Sequence, residues 1–161
     1  MPYDAFLKLE GVEGESTRSG FEGQIEIESV DFGAENPTSM GPGSGRGAGK
    51  VSLRPITITK LADSSSTSLF TACCTGKHFP KAKLTFHRAG GDEAVDYLVW
   101  DLKKVYISEY QVSGSSGMEE RPREHISLTF GKIEITYTPQ TDTGAKGSPK
   151  VASWDQMKVS K

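Results

Sequence analysis

The alternation of apolar and polar residues changes phase partway through four separate stretches of this sequence. In residues 24–32, for example, Ile25 and Ile27 share one parity, whereas Val30 and Phe32 share the other. The other three stretches with such a change are residues 51–59, 94–112 and 123–138. A period of two predicts β-strands with one buried face, and a change of phase predicts a bulge or a bend. Long bent strands are typical of a small barrel, and also of strands whose outer halves pack on a neighbouring copy.

The remaining regular elements are predicted to be two more strands and a single helix. Residues 3–9 and 81–87 are rich in β-branched and aromatic residues, and the Gly-Gly pair at 90–91 predicts a tight hairpin. Asp63 is a plausible N-cap for the helix, and Gly76 a plausible end. The predicted apolar face of this helix consists of Leu69, Phe70, Cys73 and Cys74. A mostly β chain with one short helix favours a sandwich or a barrel.

Composition and charge exclude several classes of partner. The 19 basic and 21 acidic residues are mixed along the chain and give a net charge of −2, which argues against nucleic acid. Fully apolar runs stay short, as in YLVW at 97–100, so no membrane insertion is predicted. The N-terminus lacks the features of a signal peptide. Cys73 and Cys74 are adjacent, so we interpret them as reduced, buried helix residues of a chain that folds in the cytoplasm.

A glycine-rich stretch at residues 41–49 resembles a nucleotide-binding loop at first sight. Counting back from Lys50, the phosphate-binding motif requires glycine where Ser44 stands, and a hydroxyl where Val51 stands. A helix should follow such a loop, whereas a strand pattern follows here. The sequence therefore predicts no nucleotide cofactor, but a loop of 16 residues at 34–49, whose length is typical of functional or disordered connections.

No catalytic or metal-binding constellation is apparent in the sequence. The three histidines, His78, His87 and His125, lack the spacing of metal ligands, and we expect His87 and His125 to lie on solvated strand faces. The carboxylates on the polar side of one strand are Glu26, Glu28 and Asp31. Two carboxylates on one face could in principle hydrolyse glycosides, but nothing marks a pocket around them. We therefore predict no enzyme, no metal and no cofactor.

Several segments in a fixed order resemble the haemolysin-coregulated protein (Hcp) family, the tube subunit of bacterial type VI secretion systems. The longest segment is FTACCTGKHFPKAKLTFHRAGGDEAVDYLVWDLKKVYISEYQVSGSSG. The segments DAFLKLEGVEGES, GKVSLRPITITK and ERPREHISLTFGKIEITYTPQ are also similar to the family. The resemblance extends over nearly the whole chain, from about Tyr3 to Asp155, and it implies a mostly β fold, a small β-barrel of two antiparallel sheets with one short flanking α-helix.

The resemblance also implies a function and an organisation for the chain. Residues 1–161 would form one barrel domain that assembles into hexameric rings, and the rings would stack into a hollow tube. A contractile sheath would expel this tube behind a spike protein, with effector proteins in its lumen. The protein would be cytoplasmic before firing and then secreted without a cleaved signal peptide. Residues 139–161 would form a C-terminal linker and anchor, in which Val151, Trp154 and Met157 suggest a short anchoring turn.

Two sets of candidate site residues follow from the resemblance. In the family, the long loop after the second strand contacts the next ring, which corresponds to residues 34–49 here. The candidate ring-stacking residues are Met40, Gly41, Pro42, Gly43, Ser44, Gly45, Arg46 and Gly47. The candidate lumen-facing residues are Glu26, Glu28 and Asp31.

An alternative function is a monomeric, secreted β-sandwich that binds a ligand such as carbohydrate. Such a module would need an exposed platform of aromatic side chains. Trp100, Tyr97 and Tyr106 lie instead within apolar runs of the sequence. The sequence therefore favours the self-assembling tube subunit over the binding module.

Overall fold

The structure is a computed structural model that describes residues 3–37, 50–88, 95–118, 120–141 and 144–161. Within these residues the elements are β1 (Asp4–Leu9), β2 (Ile25–Ile27), β3 (Ser29–Asp31), β4 (Ala34–Glu35), β5 (Ser52–Leu53), β6 (Ile56–Leu61), α1 (Ser66–Thr75), β7 (His78–Arg88), β8 (Val95–Ser113), β9 (Arg123–Tyr137) and β10 (Lys150–Asp155).

Eight strands form one antiparallel sheet that curls into a nearly closed barrel. The strand order is β2-β1-β7-β8-β9-β6-β3, and β10 pairs with β9. Only Glu28 separates β2 from β3, so one short segment pairs with β1 at one edge and with β6 at the other. The backbone N–H of Glu28 donates a hydrogen bond to the carbonyl of Thr59 at 2.7 Å. A second sheet contains only β4 and β5, so the predicted mostly β barrel of two antiparallel sheets with one helix is confirmed.

The changes of phase in the sequence coincide with irregularities in the strands. The first lies at Glu28, between β2 and β3, and the second at Pro55, between β5 and β6. In β8, Lys104 has a φ of 56°, and the register of β8 with β9 shifts between Ile107 and Glu109. Gly131 lies beside Lys104, where an added Cβ would be 3.3 Å from the Lys104 Cβ. The bends predicted from the alternation are therefore confirmed in these strands.

Residues along each strand alternate between the inner and the outer face of the barrel, and the inward-facing ones form most of its core. The core contains Ala5, Leu7, Leu9, Ile25, Ile27, Ile56, Ile58, Leu69, Ala72, Phe79, Ala82, Leu84, Phe86, Leu102, Val105, Ile107, Ile126, Leu128, Phe130 and Ile133. Because β8 and β9 have 19 and 15 residues, each contributes side chains to both halves of the barrel. The bends allow one strand to face the core along its whole length.

The helix lies against the barrel through a narrower face than the sequence suggests. Leu69 and Ala72 are its buried residues, whereas Phe70 is 54% exposed and Cys74 is also exposed. The predictions for Phe70 and Cys74 are therefore wrong, because residues three apart, rather than the whole apolar set, meet the sheet. Gly76 ends the helix in the left-handed conformation, as predicted.

The start of the helix differs from the prediction by two residues. Ser65 occupies the N-cap position instead of Asp63. The Asp63 carboxylate accepts a hydrogen bond from the backbone N–H of Ser65 at 2.8 Å, and the Asp63 N–H donates to Ser66 Oγ at 2.9 Å. Asp63 therefore organises the turn before the helix rather than capping the helix itself.

The segment at 10–24 covers part of the outer surface of the sheet. Phe21 stacks on Phe6 with ring centroids 4.3 Å apart, and it contacts the His87 ring edge-on at 5.0 Å. His87 is only 7% exposed, and its Nδ1 lies 2.7 Å from Asp96 Oδ1. The solvated position predicted for His87 is therefore wrong, because a segment without regular structure shields that strand face.

Most of the predicted anchoring turn is instead the strand β10, and a turn follows it at 156–159. Trp154 lies opposite Ile133 in the register of β10 with β9, and its side chain packs against the core. Val151 and Met157 remain exposed. The spacing of three therefore did not mark a single turn, because Val151 and Trp154 lie in the strand.

Candidate assembly surfaces

The two ends of the barrel expose different apolar side chains. At the first end, β1 and β8 begin and β7 and β9 end. Tyr3 and Tyr137 are each nearly half exposed there, and the ring of Tyr97 lies edge-on to both, at 6.3 and 6.5 Å. The Arg88 guanidinium carbon is 4.7 Å from the centre of the Tyr97 ring. Tyrosine and arginine are enriched where proteins associate.

The second end carries the helix and the connection between β8 and β9. Phe70, Val112 and Met118 are exposed there, and Met118 has 82% of its surface accessible. The Phe70 ring also contacts the Tyr110 ring edge-on at 5.6 Å. The chain therefore presents two different apolar surfaces at opposite ends of one barrel.

The long loop leaves the barrel through the short ribbon of β4 and β5. Ala34 lies opposite Leu53 in this ribbon, and the Arg54 N–H donates a hydrogen bond to the Gly33 carbonyl at 2.9 Å. Strand β9 runs from the second end of the barrel to the first end. The ribbon lies toward the first end, because it comes just before Ile56, which pairs with Leu128 of β9. The candidate ring-stacking residues, from Met40 to Gly47, lie outside the described residues.

The three candidate lumen residues lie along one exposed strip. Glu26, Glu28 and Asp31 are all exposed, and they alternate with the buried Ile25 and Ile27. The Glu28 carboxylate forms an ion pair with Arg123 Nε at 2.6 Å. The structure therefore places all three carboxylates on the outer face of the segment that closes the barrel.

The outer face of β6 and β9 beside this strip is also polar. The hydroxyl oxygens of Thr57 and Ser127 are 3.1 Å apart, and Thr59 Oγ1 is 3.2 Å from His125 Nδ1. Asp31 lies opposite Thr57 in the register of β3 with β6. Small hydroxyls and carboxylates therefore form a continuous polar surface outside the core.

A buried ionic network lies inside the second end of the barrel. Lys60 is fully buried, and its ammonium group donates to Glu124 Oε1 at 2.6 Å, to Asp63 Oδ1 at 2.9 Å and to the Leu61 carbonyl at 2.9 Å. These three acceptors satisfy all three N–H donors of the lysine. Ser66 Oγ also donates to Glu124 Oε1, at 2.9 Å. The network therefore links β6, β9 and the start of the helix.

Sequence reasoning missed this network, because its charged residues interrupt otherwise apolar strand faces. Lys60 follows Ile56 and Ile58 on the inward parity of β6, and it lies directly opposite Glu124. The position of Lys60 on the same inward parity as Ile56 and Ile58 was the one signal of a buried lysine in the sequence. A lysine at an inward position requires a buried partner, and the partner lies 64 residues away in the sequence.

Tyr110 joins the same network, and its acidity is altered as a result. The Tyr110 hydroxyl donates a hydrogen bond to Glu124 Oε2. Burial, this hydrogen bond and the nearby negative charge raise the pKa of Tyr110 from 10.0 to about 12. All three effects disfavour the phenolate.

We expect the Tyr110→Phe substitution to flatten the alkaline pH dependence of stability. Between about pH 10 and about pH 12 the unfolded chain loses this proton while the folded chain keeps it, so the free energy of unfolding falls. The variant lacks this titration. Urea unfolding across that range measures the difference in slope, with Tyr106→Phe as the control. Equal slopes in the wild-type protein and in Tyr110→Phe would contradict the expectation.

The described residues contain neither a metal-binding cluster nor a helix that could span a membrane. No group of three or more histidine, cysteine or carboxylate side chains is arranged to hold a metal ion in that part of the chain. Nor does any described helix have the length and apolar character that a membrane crossing requires.

Comparison with known proteins identifies the family of the chain. The family model described as "Type VI secretion system effector, Hcp" matches residues 6–137. The chain belongs to the Hcp family. Protein hcp1 of Pseudomonas aeruginosa is 39% identical to it over 156 residues, which are 96% of each chain.

Solved structures of Hcp proteins have the same fold as this Hcp chain. One, described as the structure of a type six secretion system protein, has a TM-score of 0.92 at 29% identity and covers 98% of both chains. Hcp1 from Salmonella typhimurium has a TM-score of 0.81 at 29% identity and covers 99% of both chains. The chain is therefore a type VI secretion protein.

Proposed function

We propose that this Hcp chain is the structural subunit of a secretion tube. Six copies form a ring, and the rings stack head to tail around a continuous lumen. The contractile sheath expels the tube behind its spike protein, with effector proteins inside. The protein is cytoplasmic before this event and extracellular after it. Membership of the Hcp family and the similarity to solved type VI secretion proteins support the proposal.

The observation that carries the proposal is the difference between the two ends of the barrel. A tyrosine-rich surface and the ribbon of the long loop lie at the first end, whereas Phe70, Val112 and Met118 lie at the second. Contacts between two different surfaces of identical subunits give a closed ring when the rotation between subunits closes, and an open stack when it does not. This asymmetry supports stacking in one direction, with residues 34–49 reaching the next ring.

We further propose that Glu26, Glu28 and Asp31 face the lumen. They lie on an exposed outer strip next to the polar face of β6 and β9. A polar wall without large apolar side chains would let cargo bind and leave. The charges would select effector surfaces of complementary charge.

Solution mass is the measurement that tests the assembly. Light scattering should give a particle of six copies of the 17.4 kDa chain, about 104 kDa, and negative-stain images of the same peak should show rings. A monomer at high protein concentration would contradict the ring and favour the monomeric binding module.

Charge reversal at Asp31 is expected to change effector retention without changing the ring. The amount of effector that co-purifies with the Asp31→Lys variant should differ from the wild-type amount by about threefold to tenfold, upward or downward, because one exposed charge contact changes sign. Mass spectrometry of proteins bound to purified rings measures this change. Glu120→Lys is the matched control, since Glu120 is exposed in the connection between β8 and β9 and lies outside the strip of Glu26, Glu28 and Asp31. Equal retention by Asp31→Lys and the wild-type protein would contradict the proposed position of Asp31 in the lumen.

A further inference from the structure

Three lysines lie in direct register across three neighbouring strands, on the outer face of the barrel. Lys81 of β7 is opposite Lys103 of β8, and Lys103 is opposite Lys132 of β9. One row away, Lys8 of β1 is opposite Lys83 of β7. All five side chains point away from the core, because their sequence neighbours Leu9, Ala82, Leu84, Leu102 and Ile133 are buried. We call these five residues the lysine row.

The lysine row is unfavourable for the isolated subunit. Side chains directly opposite each other on antiparallel strands have Cβ atoms about 4.5–5.5 Å apart, and like charges at that distance destabilise the sheet. Within the described part of the chain, none of the five ammonium groups has a carboxylate oxygen within 4.0 Å. None of these lysines is therefore held in a close ion pair within the described part of the subunit.

Three carboxylates lie on the same face and neutralise the row only in part. Asp101 is opposite Lys83, and Glu134 is opposite Asp101. Asp155 lies opposite Lys132, but its carboxylate accepts hydrogen bonds from the backbone N–H groups of Met157 and Lys158. The five lysines outnumber these three carboxylates, so this part of the sheet surface keeps a net positive charge.

The lysine row forms part of the floor of a groove of about 1310 Å³. The segment at 10–24 forms one wall, with Glu10, Glu13 and Glu22, and residues before and within the helix form part of the rim. A narrow ligand would meet the basic floor, whereas a broad, uniformly negative duplex would also meet the acidic wall. The shape therefore favours a single extended or helical segment over nucleic acid.

We propose that the lysine row is the docking surface for an acidic segment of a partner protein. Aspartate or glutamate side chains of that segment pair with Lys81, Lys103 and Lys132, and so relieve the repulsion among them. The proposal does not depend on ring formation, and the mass of each sample is measured separately by light scattering.

The test uses fluorescence anisotropy of a labelled short polyglutamate peptide, added to the whole protein at low ionic strength. We expect the variant with Lys81→Gln, Lys103→Gln and Lys132→Gln to bind the peptide about tenfold more weakly, since three exposed charge pairs are lost. The control variant, with Lys146→Gln, Lys150→Gln and Lys161→Gln, has the same net charge and should bind as the wild-type protein does. Added salt should weaken the wild-type complex.

The thermal midpoint distinguishes a docking surface from a structural role. Because the substitutions remove like-charge contacts, the row variant should melt at the same temperature as the wild type or about 1–3 °C higher. A lower melting temperature would show that the row stabilises the subunit itself, which would overturn the proposal.

Three further results would also overturn it. The first is no measurable binding of the peptide, or equal binding by the row variant and the wild type. The second is tighter binding of a single-stranded oligothymidylate than of the peptide, which would assign the row to nucleic acid. The third is a change in the mass of the assembly in the row variant, which would make a second copy of this chain the occupant.

Discussion

Replacing Lys60 with methionine is expected to lower the free energy of unfolding by about 3–5 kcal/mol. The substitution keeps an unbranched side chain, one atom shorter, and removes the ammonium group, so the carboxylates of Glu124 and Asp63 lose their common partner. Both carboxylates are almost fully buried, and water cannot replace the lost interactions. Urea unfolding followed by tryptophan fluorescence measures the change.

The controls for Lys60 separate a buried ion pair from an exposed one. Arg18→Met removes the Arg18–Asp4 pair, whose N–O distance is 2.5 Å but whose side chains are 37% and 50% exposed, and it should cost less than about 1 kcal/mol. Adding Glu124→Gln to Lys60→Met should recover part of the lost stability, because one uncompensated charge is then removed. Equal effects of Lys60→Met and Arg18→Met would show that the network contributes no more than a surface pair.

Replacing Phe21 with alanine is expected to lower the free energy of unfolding by about 3–5 kcal/mol. Phe21 is 7% exposed, and it joins the segment at 10–24 to the sheet by stacking on Phe6 and by contacting the ring of His87. Without the phenyl ring of Phe21, the apolar surface of the sheet beneath the segment becomes exposed to water. Chemical denaturation measures the loss, and hydrogen exchange of residues 10–24 reports whether the segment has detached from the barrel.

Phe70→Ala is the matched control for Phe21→Ala. It removes the same number of atoms from a residue that is 54% exposed on the helix, so it should change the free energy of unfolding by only about 0.5 kcal/mol. If Phe21→Ala costs as little as Phe70→Ala, the segment at 10–24 is not part of the cooperative unit of folding.

Most of the barrel was predictable from the sequence because its strands alternate regularly and bend at recognisable residues. The phase change at Glu28 and the interruption at Pro55 both correspond to breaks between strands. The sequence was less informative where burial depends on a distant segment. His87 is covered by Phe21, which lies 66 positions earlier, and nothing local to His87 indicates this.

The candidate site was predictable only in part, for a similar physical reason. The alternation correctly placed Glu26, Glu28 and Asp31 on one exposed strip, because strand periodicity is a local property. The lysine row and the Lys60 network arise from register between strands that are far apart in the chain. Periodicity gives the face on which a side chain lies, but it does not give the residue opposite.

The closure of the barrel by the short segment at 25–31 has a consequence for the order of folding. The hairpins of β7, β8 and β9 join strands that are neighbours in sequence, so they require only short loops to form. The segment at 25–31, in contrast, must dock on β1 and on β6, with three residue pairs at each edge. We therefore expect this seam to be the last part of the barrel to form and the first to open, so its amide protons should exchange before those of the β8–β9 ladder.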